Sequence, residues 1–135
     1  MTGCPQKIAF LGMGLMGSRM ASRLLSANFQ VAVWNRSPAA CTELLEQGAS
    51  LLSLKQIAEY PVILLCLADD TAVEHVFEQM QPYLQAGQII VDFSSLSVNK
   101  TIELAQLAAQ QQISWIDSPV SGGDMGQWQP GWTVD

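Results

Sequence analysis

The sequence predicts an α/β fold in which a mostly parallel sheet is wound with helices on both faces. Three observations predict it. Short apolar runs recur along the chain and alternate with stretches of helical spacing. The runs are almost continuously apolar, as strands covered on both faces should be. The first run leads through three spaced glycines straight into the first helical stretch.

Taken in order, Ile8-Ala9-Phe10-Leu11 is the first strand. Gly12, Gly14 and Gly17 follow in G-x-G-x-x-G spacing, and Met16, Met20, Leu24 and Ala27 then recur at helical intervals. In a strand–turn–helix unit each glycine has a job. Gly12 permits the turn, Gly14 lets the backbone approach a pyrophosphate, and Gly17 lets the helix pack against the strand. The helix start, from Met13 through Leu15 and Met16, offers free N–H groups and the positive end of the helix dipole to phosphates. The bland alternative is a tight strand–helix turn that binds nothing.

Asn28-Phe29-Gln30 reads as a turn and Val31-Ala32-Val33-Trp34 as the second strand. The residue after that strand selects the cofactor of a dinucleotide fold. An acidic residue there binds the ribose 2′-hydroxyl of NAD. Here Asn35, Arg36 and Ser37 stand in that place, an amide, a guanidinium and a hydroxyl that suit a 2′-phosphate. The expectation is NADP, with NAD the less favoured cofactor; the alternative is that Arg36 is a solvated loop charge. Ser37-Pro38 reads as an N-cap and first helical residue of a helix running to about Gln47 and stopped by Gly48.

Ser53-Leu54-Lys55-Gln56 has capping-box spacing and starts a short helix before Tyr60-Pro61. Val62 to Cys66 is the third strand, with Leu67-Ala68-Asp69-Asp70 at its carboxyl end, where a doubly wound sheet presents its ligand crevice. Thr71-Ala72-Val73-Glu74 reads as a second capping box, and Asp69 or Asp70 as a capping or dipole residue. His75, the single histidine, falls within that helix and reads as a surface residue, and Cys66 as core. Gln88 to Asp92 is a further strand. Ser94 and Ser95 follow it, readable equally as ribose contacts or as ordinary loop serines. Ser97 caps a helix from Val98 to about Gln111, and Ile113 to Asp117 is the last strand. Ser121-Gly122-Gly123 could form an anion-binding nest for a carboxylate, although spacing alone favours a plain glycine turn.

The chain has 135 residues, one domain's worth, with 49% apolar and 13% charged residues. A formal net charge of −6 and the absence of a basic stripe argue against a nucleic-acid partner. Cys4, Cys41 and Cys66 are scattered and form no C-x-x-C pair, so neither a zinc site nor a disulfide framework is indicated. No signal peptide or membrane-spanning run is read, and a reduced, cytoplasmic setting is the expectation.

With these residues in place, the chain resembles the β-hydroxyacid dehydrogenases, the family of 3-hydroxyisobutyrate dehydrogenase, tartronate semialdehyde reductase and glyoxylate/succinic semialdehyde reductase. The matching segments are FLGMGLMGSRMA, VWNRS, LCLADDTAVEHVF, VDFSSLS and DSPVSGG, in the family's order from Lys7 to about Gly126. The resemblance implies a Rossmann-type cofactor domain over residues 1–126. It implies that Leu67, Ala68 and Ser95 join Gly12, Met13, Gly14, Leu15, Met16 and Gly17 around the cofactor. It also implies that Ser121, Gly122 and Gly123 contact a small carboxylate substrate.

The family continues with more sheet, a helix carrying a catalytic lysine, and an all-helical second domain. Residues 127–135 fit that continuation poorly and read as an atypical tail. The expectation is therefore a cofactor domain of a 3-hydroxyacid dehydrogenase, truncated before its second domain. It would lack the lysine, be inactive alone, and self-associate through exposed apolar surface. A non-catalytic binding module and an imine reductase fragment are the alternatives.

Overall fold

A computed structural model describes residues 6–94 and 96–118 of the chain. Six parallel strands stand in the order β3-β2-β1-β4-β5-β6, the doubly wound arrangement the sequence predicts. The strands are β1 (Lys7–Leu11), β2 (Gln30–Trp34), β3 (Ser50–Leu51), β4 (Val62–Leu65), β5 (Ile89–Asp92) and β6 (Ser114–Asp117). The α-helices are α1 (Leu15–Ser26), α2 (Thr42–Glu46), α3 (Asp70–Met80) and α4 (Val98–Gln110). The order reverses between β1 and β4, where α/β sheets of this kind open a crevice at their carboxyl ends.

Strand alternation divides the core into two layers. Ile8, Phe10, Val31, Val33, Val62 and Leu64 face α1 and α2, meeting Met20, Leu24 and Leu44. Ala9, Leu11, Ala32, Ile63, Leu65 and Ile90 face the opposite side, meeting Val73, Phe77 and Met80 of α3 and Leu104 and Ala108 of α4. Trp115 of β6 closes that second layer edge-on against Phe77, with ring centroids 5.9 Å apart. Buried Gln88 stitches β5 to the preceding loops. Its Nε2 donates to the carbonyls of Ile57 (2.8 Å) and Tyr60 (2.7 Å), and its Oε1 accepts from the Gln85 N–H.

Several local expectations are corrected. The helix expected from Pro38 splits into a 3-10 turn, Pro38–Cys41, and the short α2. Ser37 precedes Pro38 in extended conformation but makes no side-chain cap. Ser53 likewise makes no cap, and the segment after it is a 3-10 helix, Leu54–Glu59. The second capping box shifts by two residues: Asp69 caps α3 by accepting from the Ala72 N–H at 2.9 Å, which leaves Thr71 in the first turn. Ala27, in helical spacing with Met16, Met20 and Leu24, is exposed at the C-cap of α1. The two-residue β3 was not anticipated.

Ser97 does cap α4, and it has a second bond that sequence cannot show. Its Oγ accepts from the Lys100 N–H at 3.2 Å and donates to Asp70 Oδ2 at 2.7 Å, while its own N–H donates to Asp70 Oδ1 at 3.0 Å. The Ser97 hydroxyl and amide hold the Asp70 carboxyl below its usual pKa. The starts of α3 and α4 are thereby tied together above the carboxyl ends of β4 and β5. Ser97→Ala is expected to lower stability by about 1 kcal/mol, the usual cost of a lost N-cap. Urea denaturation measures it, and an unchanged midpoint would contradict the pairing. No helix among the described residues is long and apolar enough to cross a membrane.

Candidate functional site

A cleft of about 660 Å³ opens at the carboxyl ends of β1, β2, β4 and β5. Its floor is the glycine turn. Gly12 has φ +109°, and its N–H donates to the Trp34 carbonyl at 2.8 Å. The next strand closes on it from the other side, because a Cβ at Gly12 would lie 2.1 Å from the Cys66 carbonyl oxygen. Gly17 sits in the first turn of α1 so tightly that its Cβ would meet the Gly12 carbonyl oxygen at 1.9 Å. At Gly14, by contrast, a Cβ would meet nothing within 4 Å, and that open space is the cleft itself.

Gly14 is also the N-cap of α1, so no side chain caps this helix, and no acidic residue stands in its first turn. The first intrahelical bond is Ser18 N–H to the Gly14 carbonyl at 2.8 Å. The amides of Leu15 and Met16 precede it and point outward with the positive end of the helix dipole. These features fit an anionic group such as a diphosphate: open space over Gly14, the amides of a helix start with no side-chain cap, and no carboxylate in the first turn.

The wall beyond β2 is formed by Asn35 and Arg36. Asn35 is occupied in bracing the glycine turn: its Oδ1 accepts from the Met13 N–H at 2.9 Å and its Nδ2 donates to the Ser37 carbonyl at 3.0 Å. Arg36 is exposed, and among the described residues lining the cleft it is the single Lys or Arg. Across the cleft stand Asp69, Thr71, Ala72 and His75 of the α3 start. His75 is exposed as expected, yet it lies on the cleft side of its helix.

The wall beyond β4 and β5 is made of Cys66, Leu67, Ala68, Phe93 and Ser94. Here the Leu67 N–H donates to Ser94 Oγ at 2.8 Å, and the Ser94 N–H donates to Asp92 Oδ1 at 3.0 Å. Asp92 is fully buried, and burial pushes its carboxyl up to about 6 in spite of the Ser94 bonds. Burial, with the Asp92 charge, also pushes the Cys66 thiol up to about 11, so Cys66 is no thiolate nucleophile.

Of the residues singled out in the sequence, Gly12, Gly14, Leu15, Met16, Gly17, Asn35, Arg36, Leu67 and Ala68 line this one cleft. The Met13 side chain is buried in the core beneath it, and Ser37 lies just outside. Ser95, Ser121, Gly122 and Gly123 fall outside the described residues. Sequence reasoning missed Asp92, and it missed Thr71 and His75 as cleft residues. A carboxylate ending a continuous apolar strand was the available signal for the first. The other two lie one helical turn apart on α3.

The chain matches a family model over residues 7–130, that of the NAD binding domain of 6-phosphogluconate dehydrogenase. It belongs to that family. Relatives of this NAD-binding domain include 2-hydroxy-3-oxopropionate reductase of Escherichia coli, 36% identical over 125 residues covering 89% of this chain and 42% of that protein. They include 2-(hydroxymethyl)glutarate dehydrogenase of Eubacterium barkeri, 35% identical with the same coverages of 89% and 42%. The cytokine-like nuclear factor N-PAC of Homo sapiens is 32% identical over 90% of this chain and 23% of its own length.

Among solved structures, Mycobacterium tuberculosis 3-hydroxyisobutyrate dehydrogenase with L-serine superposes with a TM-score of 0.83 at 26% identity, over 88% of this chain and 42% of that one. A Pseudomonas imine reductase superposes at 0.78 with 32% identity, over 84% and 41%. The chain thus spans between about a quarter and two fifths of the relatives it matches. A nicotinamide dinucleotide is the ligand type of this family, and the resemblance to the 3-hydroxyacid dehydrogenases holds.

Proposed function

We propose that this chain is the NADP(H)-binding part of a 3-hydroxyacid dehydrogenase or semialdehyde reductase, acting between a small 3-hydroxy acid and its semialdehyde. The observation that carries the reading is the cleft at the β1/β4 reversal, with an uncapped helix start above an open glycine. Residues 1–126 form the dinucleotide domain in this reading, and 127–135 a tail outside it. When bound, the nicotinamide supplies the hydride acceptor or donor.

Within that reading, Gly12, Met13, Gly14, Leu15, Met16 and Gly17 form the diphosphate turn, with the Leu15 and Met16 amides as donors. Arg36 and Ser37 receive the 2′-phosphate, and Asn35 keeps the turn in shape for it. Leu67, Ala68 and Ser95 join that turn around the cofactor, and Ser121, Gly122 and Gly123 hold the substrate carboxylate. No lysine lines the cleft among the described residues, and Lys100 is engaged by Glu74 at 2.8 Å and Glu103 at 2.6 Å. The described cleft therefore provides no lysine to move the proton that accompanies hydride transfer. General acid–base help is worth about 10²–10⁴-fold. The 135-residue chain alone is accordingly expected to bind cofactor with negligible turnover. Exposed Val98, Ile102 and Ile116 provide apolar surface for self-association.

The test is a pair of calorimetric titrations. NADPH is expected to bind about tenfold tighter than NADH, and Arg36→Ala to remove most of that gap, because a charge-assisted bond to phosphate is lost. NADH binding as tightly as NADPH would overturn the NADP assignment. The similarity to N-PAC, whose name is that of a nuclear factor, favours a second reading: a non-catalytic cofactor-binding or interaction module. An NADPH-oxidation assay with small semialdehydes on the longest available reading frame separates the two.

A further inference from the structure

The carboxylate of Asp92 has no task in the sheet. The ladder at this end of β5 is complete without it, since the Phe93 N–H donates to the Leu65 carbonyl at 2.8 Å and the Ser118 N–H to the Asp92 carbonyl at 2.9 Å. The side chain is wholly buried, and its Oδ2 has no hydrogen-bond partner among the described residues. A buried carboxylate with an empty oxygen is costly, and such groups persist where they serve a site.

Everything Asp92 grips leads to the cleft. Its Oδ1 takes the Ser94 N–H, and the Ser94 hydroxyl takes the Leu67 N–H. Ser94 and Leu67 belong to different loops, one after β5 and one after β4, and both line the cleft. We propose that Asp92 is a positioning residue for cofactor binding: through Ser94 it sets the spacing of the two loops that wall the β4–β5 side of the cleft. This rests on the reading that the cleft holds the dinucleotide.

The groups that act on Asp92 are all neutral or acidic. Ser94, on its own loop, favours the ionised form through its amide and hydroxyl. Cys66 at the end of β4 is coupled to it as a neutral thiol. Asp117 on β6, its register partner, and Asp70 at the start of α3 both oppose ionisation. No Lys or Arg compensates it among the groups that shift it. The ionised form holds Ser94 by charge-assisted bonds, and protonation weakens that hold. The carboxyl titrates near 6, so the grip on the loop loosens just below neutrality.

The experiment measures NADP+ affinity of the wild-type chain, Asp92→Asn, Ser94→Ala and the double variant by calorimetry between about pH 5.5 and 8. At pH 8 each single variant is expected to bind about threefold to tenfold more weakly, a fraction of what one charge-assisted bond is worth. The double variant should lose little more than either single one, because both break the same chain of bonds. Wild-type affinity should fall below pH 6 more steeply than that of Asp92→Asn. The 2′-phosphate also titrates in this range, but it does so in both proteins and cancels in the comparison.

An Asp92→Asn protein with wild-type affinity and an unchanged pH curve overturns the proposal, as do fully additive losses. If Asp92→Asn fails to fold, the wild-type pH curve against that of Ser94→Ala decides in the same way. A wild-type chain that binds neither NADP+ nor NAD+ instead overturns the cleft reading, and this proposal with it, before any variant is compared.

Discussion

Gly12→Ala is expected to destabilise the chain by about 3–5 kcal/mol and to abolish cofactor binding. Two independent penalties meet at this position. The backbone sits at φ +109°, where a side chain is strained. The added Cβ would also lie 2.1 Å from the Cys66 carbonyl oxygen, which is backbone and cannot rotate away. Relief requires β1 and β4 to separate where the Cys66 N–H donates to the Leu11 carbonyl at 2.9 Å. Gly17→Ala should behave alike, since its Cβ would lie 1.9 Å from the Gly12 carbonyl oxygen and would lift α1 off the strand end.

Gly14→Ala supplies the contrast. Its Cβ meets no protein atom within 4 Å and its φ of −69° is ordinary, so stability should change by no more than about 1 kcal/mol, the difference between Gly and Ala at an N-cap. Affinity should nevertheless fall, because the methyl group occupies the space over the open amides. Urea denaturation and cofactor titration on the three variants separate a fold requirement from a ligand requirement. Equal stability losses at all three positions would show that the glycine spacing serves packing alone.

These glycines were legible in the sequence because their spacing is local. The same is true of the apolar runs that became β1, β2, β4 and β5, and of the Ser97 cap. What could not be read depended on distance or on competition between equivalent signals. Asp69 and Thr71 both offered an acceptor at capping distance from a following amide, and tertiary packing selected Asp69. Ser50–Leu51 is a strand because β2 already presents an edge there, not through any periodicity of its own. Asn35 looked like a ligand contact; that its carbonyl oxygen holds the Met13 amide depends on a neighbour 22 positions away. Asp92 was the hardest case, since a carboxylate after Ile-Ile-Val reads as a strand ending in solvent, whereas it is wholly buried beside β6.

That burial makes the stability of the chain depend on pH in a direction opposite to ordinary acid denaturation. The Asp92 carboxyl titrates at about 6 in the folded state, against 3.8 when exposed, so between those values the folded state binds more protons than the unfolded one. Stability from this group therefore falls as pH rises through that window, and at pH 8 the full cost of about 3 kcal/mol is present. At pH 5 about half of it is recovered.

Asp92→Asn removes the titration. Its amide puts a donor where Oδ2 has no partner among the described residues, a penalty of about 1–3 kcal/mol that does not vary with pH. The measurable signature is thus the change in the gap between variant and wild type. From pH 5 to pH 8 the variant should gain about 1–2 kcal/mol on the wild type, several degrees in melting temperature for a domain of this size. Asp70 contributes nothing to that change. Its pKa is lowered, so the stability it confers is complete above 3.8 and is lost only at more acid pH. The Cys66 thiol, at about 11, stays neutral throughout. Paired urea denaturations at the two pH values test this, and a gap that stays constant or narrows would mean that Asp92 is paired or solvated. A widening gap in stability, together with loss of cofactor affinity in the same variant, would show a buried charge kept at the expense of the fold because it holds the cleft wall in place.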